Sequence, residues 1–94
     1  MQIVGRPLIA NVSLTTADTE VLYAIPAGTK RIKFKLRALN ALLKYCFTSG
    51  GSGTTYITIP YGDTEEINDA KLGGQTIYFQ SPSASQTVEV RTWK

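Results

Sequence analysis

Four carboxylates are grouped in the segment DTEEIND, at Asp63, Glu65, Glu66 and Asp69. Carboxylate oxygens this close together in the chain could in principle hold a hard cation such as calcium. Their spacing does not match an EF-hand loop, and turn residues flank the segment at both ends. A solvated acidic turn is the better interpretation, and we predict no metal site here.

Candidate groups for catalysis are few. The chain has no histidine and one cysteine, Cys46, so a zinc site or a histidine-based triad within it is excluded. Cys46 lies in the run ALLKYCF, which predicts a small, buried, apolar role. The glycine-rich segment GGSGTT, residues 50–55, lacks the lysine of a phosphate-binding loop and predicts a hairpin connection. We therefore predict that the protein is not an enzyme and takes no cofactor.

The most distinctive chemical feature is the segment KRIKFKLR, residues 30–37, which holds five of the ten basic residues. Apolar and basic residues alternate strictly, which predicts a β-strand, because a helix would scatter the charges around its axis. Ile32, Phe34 and Leu36 would then point to one face of the strand. The other face would carry Arg31, Lys33, Lys35 and Arg37.

Two interpretations of this basic row stay open. It is either a solvated face that protects a strand from aggregation, or a surface that binds an acidic partner. Like charges on alternate strand residues repel one another, so contact with an acidic partner would stabilise the row. That partner could be nucleic acid, an acidic protein surface or the acidic cluster of a neighbouring copy. Nucleic acid is the less favoured partner, because Phe34 points away from the charges and Lys44 is the one further basic group that we identify beside them.

Charge is distributed unevenly along the chain. Residues 1–50 hold seven basic and two acidic groups, whereas residues 51–94 hold three basic and five acidic groups. A basic face that meets a distinct acidic face forms a heterologous contact, which closes into rings such as trimers. We therefore predict a homo-oligomer, with a trimer favoured, in which the basic row contacts Asp63, Glu65 and Glu66 of the next copy.

The N-terminal residues 1–9 are predicted to form an arm ahead of the folded domain. They include Ile3 and Val4 near Gly5 and Pro7, and such an apolar segment could add a strand to the edge of a partner's sheet. The start of the chain is too short and too weakly apolar for a signal peptide, and no segment approaches the length of a membrane span. We predict no membrane contact and synthesis in a cytoplasm.

Short segments with strand character must position these groups, and no segment has the pattern of a helix. They lie at residues 8–15, 20–25, 31–37, 41–47, 55–60, 65–68, 75–80 and 87–93. The pattern predicts an all-β domain at residues 10–94, a single small antiparallel β-sandwich, jelly-roll-like, of seven or eight short strands, with a small barrel as the alternative. Ile-Pro-x-Gly occurs at 25–28 and 59–62, which predicts two related hairpins with proline second and glycine fourth in a type I turn.

With these strands and turns in place, most of residues 11–93 resembles a recurrent type of small all-β bacteriophage protein. The resembling stretches are NVSLTTADTEVLYAIPAGTKRIKFKLR, LKYCFTSGGSGTTYITIPYG and LGGQTIYFQSPSASQTVEVRTW. The resemblance implies a virion component encoded among head-structure genes, and within that class a capsid decoration (cement) protein that binds and stabilises the head shell without catalysis. Its partner would be the major capsid protein or another virion protein, and its location the capsid surface, after synthesis in the host cytoplasm.

Other interpretations are also open. A head–tail connector or a tail component is an alternative within the same class. A small β-barrel binding module for nucleic acid or carbohydrate is an alternative from a different class. A carbohydrate site needs exposed, coplanar aromatic rings, and Tyr61 and Trp93 are the candidates in this sequence.

Overall fold

The computed structural model describes residues 7–51 and 54–94, and among them it contains eight β-strands and no helix. The strands are β1 (Leu8–Leu14), β2 (Val21–Ala24), β3 (Arg31–Leu36), β4 (Leu43–Cys46), β5 (Ile57–Ile59), β6 (Glu65–Asn68), β7 (Thr76–Gln80) and β8 (Gln86–Trp93). Each predicted strand segment overlaps one of them, so the all-β prediction is confirmed. In the described residues, nothing has the length and apolarity of a membrane-crossing helix.

The strands form two antiparallel sheets that pack face to face. Sheet A has the order β1-β8-β3-β6, and sheet B has the order β2-β7-β4-β5. This arrangement of eight strands in two sheets is that of a jelly roll, which confirms the predicted sandwich over the barrel. Strands β3, β6 and β8 are neighbours in sheet A although they are far apart in the chain. The basic row on β3 therefore lies between β6 and β8.

Alternating side chains from both sheets fill the core, as the sequence pattern predicts. On β3, Ile32, Phe34 and Leu36 are buried, and the basic residues between them face solvent. The Phe34 ring makes edge contacts with Tyr45 and Phe79 of sheet B, at centroid distances of 4.9 and 5.1 Å. The core holds these apolar residues: Val12, Leu14, Ile25, Ile32, Phe34, Leu36, Ala41, Leu43, Tyr45, Ile59, Leu72, Ile77, Phe79, Val88 and Val90. Cys46 is buried as well, as predicted.

The two Ile-Pro-x-Gly segments form equivalent turns, but the predicted turn type was wrong. In the first, the N–H of Thr29 donates to the carbonyl of Pro26 at 3.2 Å, and Gly28 has a φ of +82°. The second repeats this geometry between Asp63 and Pro60. Proline is therefore first and glycine third, and the positive φ at the third position is typical of a type II turn. Neither turn closes a hairpin, since each carries the chain from sheet B to sheet A.

Strand β1 begins inside the segment that was predicted to be an arm. Leu8 and Ile9 pair with Thr92 and Arg91 of β8, so both residues belong to sheet A. The predicted partner-binding residues Ile3 and Val4 lie outside the described residues. The hairpin predicted for the glycine-rich segment is confirmed, because β4 and β5 on either side of it pair antiparallel.

Candidate binding face on sheet A

The basic row lies on the outward face of sheet A, between two strands that supply carboxylates. Strand β3 has β6 on one side and β8 on the other. In the strand register, Lys33 lies opposite Glu66 of β6, and Lys35 lies opposite Glu89 of β8. The fold therefore places acidic groups from the second half of the chain on both sides of the basic strand from the first half.

Each carboxylate bridges two neighbouring cations. Glu66 accepts from the Arg31 Nε at 2.9 Å and lies 3.6 Å from the Lys33 Nζ. Glu89 accepts from the Arg37 Nε at 2.8 Å and lies 3.8 Å from the Lys35 Nζ. These solvent-exposed pairs relieve the repulsion along β3, although surface ion pairs contribute little to stability.

These ion pairs change the interpretation of the acidic cluster. Glu66, which was predicted to contact a neighbouring copy, contacts β3 of its own chain. Glu65 points to the opposite face of β6, and Asp63 lies in the turn before that strand. Asp69 follows β6 and accepts from the backbone N–H of Lys71. The carboxylates therefore do not form one acidic surface, and the described residues include no group of three or more metal-ligating side chains placed to hold an ion.

Glu65 takes part in a contact between the two sheets. The hydroxyl of Tyr45, on β4 of sheet B, donates to its carboxylate at 2.6 Å. Burial raises the pKa of Tyr45, and the hydrogen bond to Glu65 and the negative charge of that carboxylate raise it further. Tyr45 therefore stays protonated as a donor, and the contact helps to fix β6 beside the basic strand.

Two further residues lie beside the basic row, and the sequence pattern alone does not place either of them there. Arg91 and Trp93 share the outward face of β8 with Glu89. The Arg31 guanidinium lies 4.5 Å from the centroid of the Trp93 ring, and that of Arg91 lies at 5.8 Å. Trp93 thus holds two guanidinium groups at one end of the basic row by cation–π contacts. Lys44 is not part of this face, since it lies on sheet B over the ring of Tyr56.

The outward face of sheet A is cationic and includes a pocket. Five basic side chains lie on this face: three on β3, that of Arg37 directly after it, and that of Arg91 on β8. With the carboxylates of Glu66 and Glu89 the net charge is three positive. An open pocket of about 540 Å³ lies on the part of this face near Lys35 and Arg37. Its polar and apolar lining includes Ile9, Asn11, Lys35, Arg37, Glu89 and Arg91. Such a surface can bind a polyanion or an acidic protein surface.

The two bridging carboxylates should make stability depend on pH. Hydrogen bonds from Asn68 and Arg31 hold the pKa of Glu66 below its ordinary value of 4.5, and a hydrogen bond from Arg37 does the same for Glu89. A lowered folded-state pKa stabilises the fold above the unfolded value, and this contribution is lost as pH falls through the folded pKa.

We therefore expect the melting temperature to fall on acidification from neutrality to about pH 3, and to fall less in a Glu66→Gln, Glu89→Gln double variant. Thermal unfolding followed by circular dichroism at both pH values measures the difference. An equal fall in the two proteins would show that these ion pairs do not contribute to acid sensitivity.

No protein-family model matches this sequence, and no curated protein matches it. The chain is similar to the solution NMR structure of a de novo designed double-stranded β-helix, with a TM-score of 0.55. The two sequences are 13% identical, and the match covers 95% of this chain and 99% of the designed one. At this identity the likeness shows the fold alone, and it supports the two-sheet, all-β architecture.

Proposed function

We propose that this protein is a bacteriophage virion structural protein, a capsid decoration (cement) protein that binds the head shell through the cationic outward face of sheet A. Its partner is an acidic surface of the major capsid protein or of another virion protein. Its action is adhesion: it clamps neighbouring shell subunits without catalysis. A head–tail connector or a tail component would use the same face in the same way.

The net positive charge of this face carries the proposal. The four basic residues of the row, Arg31, Lys33, Lys35 and Arg37, are held in place by Glu66 and Glu89, so they need little ordering when a partner binds. Arg91 adds charge to the row and, among the described residues, lies in no ion pair within 4.0 Å. A rigid cationic surface of this kind favours an acidic protein partner through charge complementarity.

Two further arguments support the virion class. The sequence resemblance described above covers most of the chain. Jelly rolls also occur in viral capsid domains, although the same fold occurs in lectins and cupins. Because one fold serves many functions, the charged face of sheet A, more than the jelly roll, supports a virion role.

The test is reversal of charge at Arg91, which takes part in none of the four ion pairs of the face. Arg91→Glu should weaken binding to purified heads of the phage that encodes the protein by about tenfold or more, because like charges then face each other. Cosedimentation over a range of protein concentrations measures this binding.

The matched control is Lys44→Glu, which makes the same change of charge on the outward face of sheet B and should bind like the wild type. Equal losses in both variants would mean that net charge, and not this face, determines binding. A wild-type protein that fails to sediment with the heads would remove the virion role.

Single-stranded nucleic acid is a second candidate partner, and the position of Trp93 favours it. The sequence predicts no aromatic ring beside the basic row, yet Trp93 lies next to Arg31 on the same face. Basic grooves with aromatic rings bind single strands by charge and stacking. Quenching of Trp93 fluorescence by an oligonucleotide, with a steep dependence on salt, would support this function over capsid binding.

A further inference from the structure

The edges of sheet A differ sharply in their protection. The edge strand β6 is four residues long and carries two glutamates, whereas the edge strand β1 is seven residues long and carries no charge. Proteins usually shield edge strands with charge, proline or short length, because unpaired backbone groups can pair with another chain. Strand β1 is not short, and it contains no charged residue and no proline. Its residues Leu8 and Ile9 are 57% and 69% exposed.

One side of β1 is open to an added strand in the part of the chain that the structure describes. Strand β1 pairs with β8 on its inner side and is the last strand of sheet A on its outer side. In an antiparallel sheet, alternate residues of an edge strand direct their N–H and C=O groups away from the sheet. These groups can accept a further antiparallel strand without any change in the fold.

The sequence of β1, LIANVSL, fits a second copy of itself. In an antiparallel pair centred on Asn11, Leu8 lies opposite Leu14 of the other copy, and Ala10 lies opposite Val12. Each inward-facing residue of one copy then lies opposite an inward-facing residue of the other copy. The exposed Leu8 thereby gains an apolar neighbour. Because β1 has no charged residue, this self-pairing brings no like charges together.

We propose that two copies of this protein associate through β1 across a two-fold axis at Asn11, which joins both copies of sheet A into one eight-stranded antiparallel sheet. The axis runs perpendicular to the sheet, so both basic faces lie on the same side. The dimer doubles the cationic surface, and it replaces the trimer expected from sequence. This association stands independently of the proposed capsid role, because it depends on β1 alone.

A cysteine at the axis tests the register directly. Residue 11 lies opposite itself in this pairing, within the distance that a disulfide spans, so Asn11→Cys should form covalent dimers on mild oxidation. Ser13→Cys is the matched control, because the two copies of residue 13 would be about 14 Å apart. We expect several-fold more covalent dimer from Asn11→Cys. Equal yields, or more from Ser13→Cys, would overturn the proposal.

Light scattering after size exclusion gives the second test. The wild-type protein should have twice the 10.3 kDa mass of the chain. Asn11→Lys should halve that mass because two like charges meet at the axis, while Thr58→Lys on the edge strand β5 should leave it unchanged. A wild-type monomer or trimer, or dissociation by Thr58→Lys alone, would contradict pairing through β1.

Discussion

Replacement of Phe34 by alanine should lower the free energy of unfolding by about 3–5 kcal/mol, the range for removal of a buried aromatic side chain. Phe34 is 1% exposed, and its ring joins sheet A to Tyr45 and Phe79 of sheet B. Truncation leaves a cavity where the two sheets meet and removes both edge contacts. Because small domains are stable by only about 5–15 kcal/mol, this loss is a large share of the total.

Urea unfolding followed by far-UV circular dichroism measures the loss. Tyr61→Ala is the control, since Tyr61 is an aromatic residue that is 62% exposed in the turn before β6. A surface substitution of this kind should change stability by about 0.5 kcal/mol or less. Similar losses in the two variants would mean that the Phe34 cluster is not the centre of the core.

The same burial explains why much of the fold can be predicted from sequence. In KRIKFKLR, a strand is the one regular structure that separates all the apolar side chains from all the charged ones. The same alternation on β8 correctly predicts that Val88, Val90 and Thr92 face inward. The alternation of side chains along a strand is a local property. A single sequence is therefore enough to predict which residues share a face.

The neighbours of each strand are not a local property. Arg31 contacts Glu66 from 35 positions away, and Arg37 contacts Glu89 from 52 positions away. Nothing near β3 in the sequence indicates that β6 and β8 flank it, so Arg91 and Trp93 could not be assigned to the candidate face. The turn type was missed for a related reason, because Ile-Pro-x-Gly is compatible with more than one turn.

The uneven charge of the chain shows how topology changes the meaning of a sequence pattern. Separate basic and acidic halves suggest two different surfaces and hence contact between copies. The jelly roll instead interleaves the halves, so the strands that follow the two Ile-Pro-x-Gly turns become neighbours and Lys33 meets Glu66 within one chain. The remaining charge on the face, and not the asymmetry itself, is what a partner can bind.

Substitution of Gly73 by alanine should cost about 3 kcal/mol or more, at or above the upper end of the usual range for overpacked sites. Gly73 lies between β6 and β7, and its N–H donates to the carbonyl of Thr29 at 2.9 Å. A β-carbon at this position would lie 2.5 Å from the backbone nitrogen of Gly28 and 2.7 Å from that of Thr29. Since both atoms are backbone, no side chain can rotate away, and the two connections between the sheets must separate.

Gly74→Ala separates this steric effect from ordinary backbone strain. Gly74 has a φ of +85°, but a β-carbon there would meet nothing within 4 Å. Its substitution should cost only the left-handed conformational strain, about 1–2 kcal/mol, and Gly74→Asn should cost less. Urea unfolding of the three variants compares these costs. If Gly73→Ala is no more destabilising than Gly74→Ala, then the close packing of the 26–29 turn against Gly73 does not contribute to the stability of the fold.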